Sequence, residues 1–250
     1  MPFTDPIWPD IHGRLLDAGI EVVHATLALP ATPRERRAMR ETVESPFLVE
    51  VNEIGLVAAR GSKPFDVGPL VNVYNEDTAR FLVARGARTI ALPVELPIET
   101  VAAIARACPA AAIEVFAFGR LPLALSGRCY HARAHGLHKD NCQFVCDRDP
   151  DGLPVETLDG QQFLAINGIQ TLSHGVHVYL PTSEEMKRAG IGSLRLSPQT
   201  LDMVAVGQVY RAVLDGEIGR ADGLRRIDEL NPPGLLVGGY AAGAAGCRPI

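Results

Sequence analysis

The sequence has no long apolar run and no excess of positive charge. No stretch reaches the roughly 20 consecutive apolar residues that a membrane-spanning helix needs, and the first residues lack the basic and apolar regions of a signal peptide. With 24 Lys and Arg against 29 Asp and Glu, the net charge is −5. This balance argues against nucleic acid or an anionic membrane surface as a partner. We therefore expect a cytoplasmic protein without a membrane span.

The sequence also lacks the common catalytic and phosphate-binding motifs. Ser126 is followed by Gly127 but does not lie in the Gly-x-Ser-x-Gly turn of a serine hydrolase. No glycine-rich loop of the Walker or Rossmann type is present. A cysteine nucleophile paired with a histidine is chemically possible, but the chain gathers more cysteines in one stretch than such a site needs.

Strand and helix patterns alternate along the chain. Apolar segments centred near residues 23, 49, 70, 91 and 115 recur at similar spacing, and most gaps between them carry a helical pattern. This alternation predicts βαβ units and a parallel sheet. About seven units are visible where a closed (β/α)₈ barrel has eight, and the chain starts in a helix. We therefore expect an α/β fold, a TIM-barrel-like barrel that lacks its first βα unit, with an open doubly wound sheet as the alternative.

The 250 residues fit one barrel-like domain, residues 1–250. The pattern predicts a first helix over Trp8–Asp17, strands over Ile20–Leu27 and Val67–Val73, and a late helix over Thr200–Leu214. A hairpin is expected to join residues 162–167 and 176–179. The glycine- and alanine-rich residues 232–250 are expected to form a flexible tail.

A long irregular segment, residues 126–160, interrupts this alternation. It is rich in Asp, Gly, Pro and His, and connections of this length are usually functional or disordered. Because it follows the predicted strand Ile113–Phe116, we expect it to lie at the C-terminal ends of the strands, where α/β folds place their sites. It carries three of the five cysteines, Cys129, Cys142 and Cys146. We interpret it as a metal-binding insertion.

Clustered thiolates are soft ligands that favour zinc, copper(I) or iron–sulfur centres. The flanking residues are polar, so scattered core cysteines are the weaker interpretation. In a reducing compartment, closely spaced cysteines are more often metal-binding or catalytic than disulfide-bonded. The residues alone therefore favour a metal centre without deciding which metal.

Three thiolates are one short of a Cys₄ iron–sulfur site. Cys247 and Cys108 are the other cysteines; we interpret Cys108 as a packed small residue and Cys247 as an exposed thiol, and keep Cys247 as a weak candidate for the fourth ligand. A zinc site is the alternative, with the three cysteines and one histidine as a Cys₃His tetrahedron. Its candidate histidines are His131, His135 and His138, although each alone is interpreted as a polar surface residue.

Several other polar residues are candidates for roles near such a centre. Arg128, Lys139 and Asn141 flank the cysteines and are candidates for hydrogen bonds that tune the metal. Glu50 and Glu114 end or lie within predicted strands and are candidates to face the barrel interior.

The segment Glu114–Cys129 carries a glutamate and aromatic residues, then a glycine and a Ser-x-x-Cys group. It resembles the signature segment of peptidase family U32. Gly119–Ala124 has proline and leucine where many relatives carry an extra cysteine, and Lys139–Cys142 with the gap to Cys146 is similar to the UbiV branch. Further similarity lies in Leu164–Ser173 and extends over about residues 8–215.

This resemblance implies a TIM-barrel-like protein with a [4Fe–4S] cluster on four cysteines, three of which carry over to Cys129, Cys142 and Cys146. The fourth family cysteine lies near the N-terminus, in a segment that this sequence is expected to lack. The resemblance also implies a UbiU-like heterodimer partner and a lipid-carrier protein of the ubiquinone pathway as an associate.

The implied activity is oxygen-independent ring hydroxylation in ubiquinone biosynthesis, with prephenate as oxygen source. Other relatives are collagenase-like peptidases or act in RNA hydroxylation. We can name no nucleophile–base pair for a peptidase, and the negative net charge argues against RNA as substrate.

Overall fold

The structure is a computed structural model that describes residues 7–250. The first half of the chain alternates strands and helices. Its elements are, in order, α1 (Ile7–Asp17), β1 (Val23–Ala25), α2 (Pro33–Glu44), β2 (Leu48–Val51), α3 (Gly55–Arg60), β3 (Phe65–Val67), α4 (Glu76–Val83), β4 (Ala87–Ala91), α5 (Ile98–Ala107) and β5 (Ala112–Leu125).

The second half begins with the irregular segment and ends beside the sheet. Its elements are α6 (Tyr130–Ala134), β6 (Leu153–Glu156), β7 (Gln162–Asn167), β8 (Gln170–Val178), α7 (Ser183–Ala189), β9 (Ile191–Leu196), α8 (Met203–Leu214), α9 (Arg220–Asp228) and β10 (Leu236–Val237). Short 3₁₀ turns lie at Pro69–Val71, Lys139–Asn141, Val145–Arg148 and Tyr240–Ala242. None of the helices described in residues 7–250 has the length and apolar character required to cross a bilayer.

The strands form a curled half-barrel with parallel neighbours. β1 to β5 pair in sequence order, and β9 pairs in parallel with the first half of β5, so six strands form the arc in the described chain. The order does not reverse, as it would in a doubly wound sheet. A mixed α/β fold of partial-barrel form is thus confirmed, with fewer parallel strands in the arc than the seven units predicted.

The second half of β5 leaves the arc and joins an antiparallel sheet. It pairs with β8, which pairs with β7, and β7 pairs with β6. The predicted hairpin is confirmed in part: β7 is its first strand, but β7 pairs with residues 170–173 of β8, whereas residues 176–178 of β8 pair with β5. The turn between β7 and β8 contains Gly168 at φ 58°. β5 is therefore longer than the predicted strand, because irregular pairing between Phe116 and Ala124 bends the strand without ending it.

Two apolar cores hold the layers together. One lies between the arc and helices α2 to α5 and α7, and its fully buried side chains include Val43, Val49, Phe65, Leu82, Ile90, Ile104 and Ile113. The other lies between β5, β8 and helices α8 and α9, with Phe118, Val176, Val206 and Ile227 fully buried. The long β5 contributes to both cores and joins them.

Several element boundaries differ from the sequence prediction. The strand predicted over Val67–Val73 ends at Val67, because Pro69 has no N–H to donate to a ladder and begins a 3₁₀ turn. The predicted strand Ile20–Leu27 is reduced to Val23–Ala25. The late helix begins at Met203, where the Asp202 carboxylate accepts hydrogen bonds from two backbone N–H groups.

The segments predicted as insertion and tail both contain regular structure. The insertion, residues 126–160, holds α6, two 3₁₀ turns and β6. Residues 232–250, predicted to be flexible, include β10, which pairs with β8, and the Gly238 N–H donates to the Arg248 carbonyl at 2.8 Å. The tail thereby extends the sheet.

Candidate functional site

A cleft of about 600 Å³ opens at the C-terminal ends of the arc strands. Strands β2, β5 and β9 form its floor and one side, and residues of the insertion and of the β7–β8 hairpin form the other side. Its polar lining residues include Glu50, Asn52, Arg120, Asp151, Asn167, Gln170, Arg195 and Ser197. The C-terminal edge of a parallel sheet is where α/β folds place ligands, so this cleft is the candidate substrate site.

A charged cluster forms the floor of the cleft. Arg195 on β9 lies between the carboxylates of Glu50 on β2 and Glu114 on β5, with Nε donating to Glu114 at 2.5 Å and the other nitrogens donating to Glu50. Burial would lower the pKa of Arg195, but the hydrogen bonds and charges of the two glutamates outweigh it and raise that pKa. The cluster carries two carboxylates for one guanidinium, so it presents net negative charge to the cleft.

Asn52, two residues after Glu50 in the chain, supports this cluster. Its Nδ2 donates to Glu50 at 2.8 Å and to the Thr26 carbonyl at 3.2 Å. Its Oδ1 lies over Gly68, where a Cβ would be 2.0 Å from that oxygen. A glycine at position 68 is therefore needed for Asn52 to hold Glu50 in place.

Arg120 forms a second cationic group at the cleft and is 7% exposed. Its guanidinium donates to the carbonyls of Ser173 at 2.9 Å and Pro233 at 2.8 Å, and also to that of His174. Burial lowers the pKa of Arg120, and the charge of Asp151 on the insertion opposes that shift. Arg120 thus ties β5 to β8 and to the tail beside the cleft.

The three predicted ligand cysteines lie on short turns within the insertion. Cys129 precedes α6, and its Sγ accepts the Ala132 N–H at 3.3 Å. Cys142 follows the first 3₁₀ turn of the insertion, and Cys146 lies in the second. Between them, Gln143 and Phe144 both adopt φ 52°, a conformation that non-glycine residues rarely take and that clusters at functional sites.

Burial and nearby charges both act on the thiol of Cys146. Burial raises the pKa of Cys146, the charge of Asp147 adds to this effect, and the charges of Cys129 and Cys142 both raise it further. Cys129 is buried, and Cys142 and Cys146 are half-buried. The fold therefore places three cysteines that are 13 and 4 residues apart in sequence on neighbouring turns of the insertion.

The other two cysteines lie elsewhere. Cys108 ends α5 before β5 starts, whereas Cys129 follows the end of β5, so the whole 14-residue strand lies between them in the chain. Cys108 is buried in the first apolar core, as predicted for a packed residue. Cys247 is exposed in the tail, which joins β8 opposite His177.

The histidines of the insertion differ from one another. His131 on α6 is fully buried, so its interpretation as a surface residue is wrong. Its Nδ1 lies 3.1 Å from the Ile166 carbonyl, and its Nε2 lies 3.0 Å from Asp149 Oδ2. The His135 ring stacks on it at 5.5 Å. Ligand atoms of His131, His135 and Asp149 lie within 4.8 Å of one another, and His138 is exposed.

The remaining candidates of the insertion are peripheral. Lys139 pairs with Glu35 of α2 at 3.2 Å and so links the insertion to the arc. Arg128 and Asn141 are exposed. Of the three residues proposed to tune a metal, Lys139 thus forms an ion pair with α2 rather than a contact with a thiol.

Sequence reasoning missed Asp149, Arg195 and Asn52. The four-residue spacing of His131 and His135 was visible in the sequence and places both rings on one face of a helix. Asp149 and Arg195 carried no comparable signal, because their partners come from turns and strands distant in sequence. Glu50 and Glu114 were correctly singled out as polar residues on strands, and the structure brings both onto Arg195.

Comparison with known proteins gives a family but no structural relative. No solved structure matches the chain. The family model described as peptidase family U32 matches residues 48–229, which includes the arc from β2 onward, the cleft and the three cysteines of the insertion. Because this match spans well over half of the sequence, the chain belongs to peptidase family U32.

Proposed function

We propose that this chain is a UbiV-like iron–sulfur protein that binds a [4Fe–4S] cluster through Cys129, Cys142 and Cys146. The observation that carries the proposal is that these three cysteines lie on successive short turns of one insertion segment, with Cys142 and Cys146 half-buried. Mutual repulsion of thiolates is relieved when a metal centre neutralises them. The protein would act with a UbiU-like partner and a lipid-carrier protein in oxygen-independent ring hydroxylation during ubiquinone biosynthesis.

The donor set fits three corners of such a cluster. Three sulfur ligands suit iron–sulfur chemistry better than magnesium or calcium, and the half-buried position of Cys142 and Cys146 leaves room for a bound group. A fourth ligand would have to come from outside this set. When bound, the cluster would supply electron transfer at a potential tuned by burial and hydrogen bonding.

The insertion connects the thiols to the cleft. Pro150 and Asp151, which line the cleft, follow Cys146 closely in the chain, and Asp151 accepts a hydrogen bond from the Thr200 N–H at 2.9 Å. The cleft residues would bind and orient a small ring substrate, because a volume of this size with a few convergent polar groups is typical of small-molecule sites. The turns that carry the cysteines and the residues on one side of the cleft thus belong to the same insertion.

The test is anaerobic purification of the full chain, alone and with a UbiU-like partner, followed by assay of iron, sulfide and zinc. We expect about four irons and four sulfides per chain, as a [4Fe–4S] cluster requires. Replacing Cys129, Cys142 or Cys146 by Ala should abolish iron retention. Cys108→Ala is the matched control, because Cys108 is buried in the first apolar core and should be dispensable for iron binding.

Three outcomes would contradict the proposal. Full iron content in all three cysteine variants would show that these thiols are not the ligands. One zinc without sulfide, lost in the same variants, would favour the zinc alternative at the thiols. Peptide hydrolysis by the purified chain that is lost in Ser197→Ala, a hydroxyl-bearing residue of the cleft, would favour the peptidase alternative.

A further inference from the structure

We propose that His131, His135 and Asp149 form a second metal site, separate from the thiols, that binds one zinc ion. Their ligand atoms already lie within 4.8 Å of one another, and the fully buried His131 directs an unpartnered nitrogen at the Asp149 carboxylate. This inference does not depend on the proposed cluster.

The first observation is the state of the His131 ring. A backbone carbonyl can only accept a hydrogen bond, so the 3.1 Å contact of Nδ1 with the Ile166 carbonyl places the proton of a neutral ring on Nδ1. Nε2 then carries a lone pair. Metal-ligating histidines typically hold their second ring nitrogen in this way, because the bond fixes the ring and raises its basicity.

The second observation is what faces that lone pair. Asp149 Oδ2 lies 3.0 Å from Nε2, yet the contact does not satisfy hydrogen-bond geometry and Nε2 is without a hydrogen-bond partner. Two groups that both offer lone pairs repel each other unless a cation lies between or beside them. Since a buried polar atom without a partner is costly, the arrangement calls for a bound cation.

The third observation is the position of His135. It follows His131 by four residues, so the two rings lie on the same face of α6 and its C-terminal end. The rings stack with an interplanar angle of 19°. His135 is exposed, so its ring is free to adjust toward an ion that His131 and Asp149 hold from the buried side.

Two imidazoles and one carboxylate favour zinc among common metals. Zinc binds nitrogen and carboxylate ligands at roughly 2.0–2.2 Å, and three protein ligands leave a fourth position for water. The site lies beside two of the three thiols, since Cys129 precedes α6 and Cys146 lies in the 3₁₀ turn that Asp149 caps. A bound zinc ion would therefore fix α6 to that turn and hold two of the three cysteines in register.

The experiment titrates zinc ions into the metal-free full chain in which Cys129, Cys142 and Cys146 are all replaced by Ser, so that thiols cannot bind the probe. We expect one zinc per chain. Adding His135→Ala or Asp149→Asn should weaken binding at least about tenfold, the scale of losing a group that supports a metal. The matched control is His138→Ala, because His138 is an exposed histidine of the same segment.

Cobalt(II) in place of zinc, added to the chain with its cysteines intact, provides a second measurement if the serine variant does not fold. Here His135→Ala should lower the bound metal by one equivalent and leave thiolate-to-cobalt charge-transfer absorption unchanged. The proposal is overturned if neither the triple-serine variant nor the chain with intact cysteines binds metal through these residues. It is also overturned if the His135→Ala and Asp149→Asn variants bind the metal as tightly as the parent protein. In either case His131 and Asp149 would be a buried ion pair without metal.

Discussion

At the scale of single residues, Arg60 shows how one side chain holds the connection between α2 and β2. It lies at the end of α3 and is 5% exposed. Its guanidinium donates to the carbonyls of Val43 at 2.7 Å, Ser45 at 3.0 Å and Phe47 at 2.7 Å. Burial lowers its pKa. The side chain therefore satisfies the backbone between α2 and β2, where the helix carbonyls have no intrahelical partner.

Arg60→Met should lower the free energy of unfolding by about 3 kcal/mol, because several buried carbonyls lose a charged donor at once. Urea denaturation would measure this loss. Arg37→Met on the exposed face of α2 is the control and should change stability by less than about 0.5 kcal/mol. Equal stabilities of the two variants would show that water replaces the Arg60 donors.

At the scale of elements, β5 decides how the arc and the antiparallel sheet meet. Gly119 lies where the strand changes neighbours, and its φ is 120°, which side chains rarely adopt. A Cβ at this position would lie 2.8 Å from the Ser197 Cβ and 3.0 Å from the Ser197 carbonyl oxygen. Glycine is thus required for both conformation and space.

Gly119→Ala should destabilise the fold by at least about 1 kcal/mol, since alanine cannot take this backbone conformation without strain, and should disturb the cleft that Ser197 lines. Thermal or urea denaturation provides the measurement. Gly13→Ala is the matched control: Gly13 lies within α1 with no atom within 4 Å of the added Cβ, so stability should be unchanged or rise. The same loss in both variants would contradict the strain argument.

At the scale of the whole molecule, His177 is buried where the two sheets and the tail join. It pairs with Gly119 of β5 and with Val237 of β10. Burial lowers the pKa of His177 to about 4, and a hydrogen bond with the Phe116 backbone only partly opposes the shift. The folded protein therefore holds this ring neutral over most of the acidic range.

This shift predicts acid destabilisation. The unfolded chain, with a His177 pKa near 6.5, takes up the proton first as the pH falls, so stability is full above about pH 6.5 and is lost progressively toward pH 4. At pH 5 the loss should be about 2 kcal/mol relative to pH 8. Urea denaturation at the two pH values measures this loss. His177→Gln should reduce the slope of the free energy of unfolding against pH.

The control for this pH dependence is His138→Gln, which changes an exposed histidine and should keep the parental slope. Burial also lowers the pKa values of His24 and His174, so some acid sensitivity should remain in His177→Gln. If His177→Gln left the pH dependence of the free energy of unfolding unchanged, the acid sensitivity would come from groups other than His177.

Much of the fold could be predicted from the sequence because it rests on local signals. The alternation of apolar strands with amphipathic helices predicted the parallel arc, the helix at Trp8–Asp17 was confirmed, and the hairpin was confirmed in part. The strand at Val67–Val73 was wrong because an apolar run alone does not reveal where Pro69 ends the ladder. The extension of β5 was missed because irregular strand pairing depends on the partner strands.

The sequence by itself determined which residues have the chemistry: a cluster of three cysteines, two histidines at helical spacing, and glutamates on strands. Only the tertiary structure decided which of them meet. It placed the three cysteines on neighbouring turns of the insertion, set Asp149 against the buried His131, and placed Arg195 between Glu50 and Glu114. The physical reason is that side-chain identity and spacing are local properties, whereas contacts between turns and strands far apart in sequence arise only when the sheet curls and its cores pack.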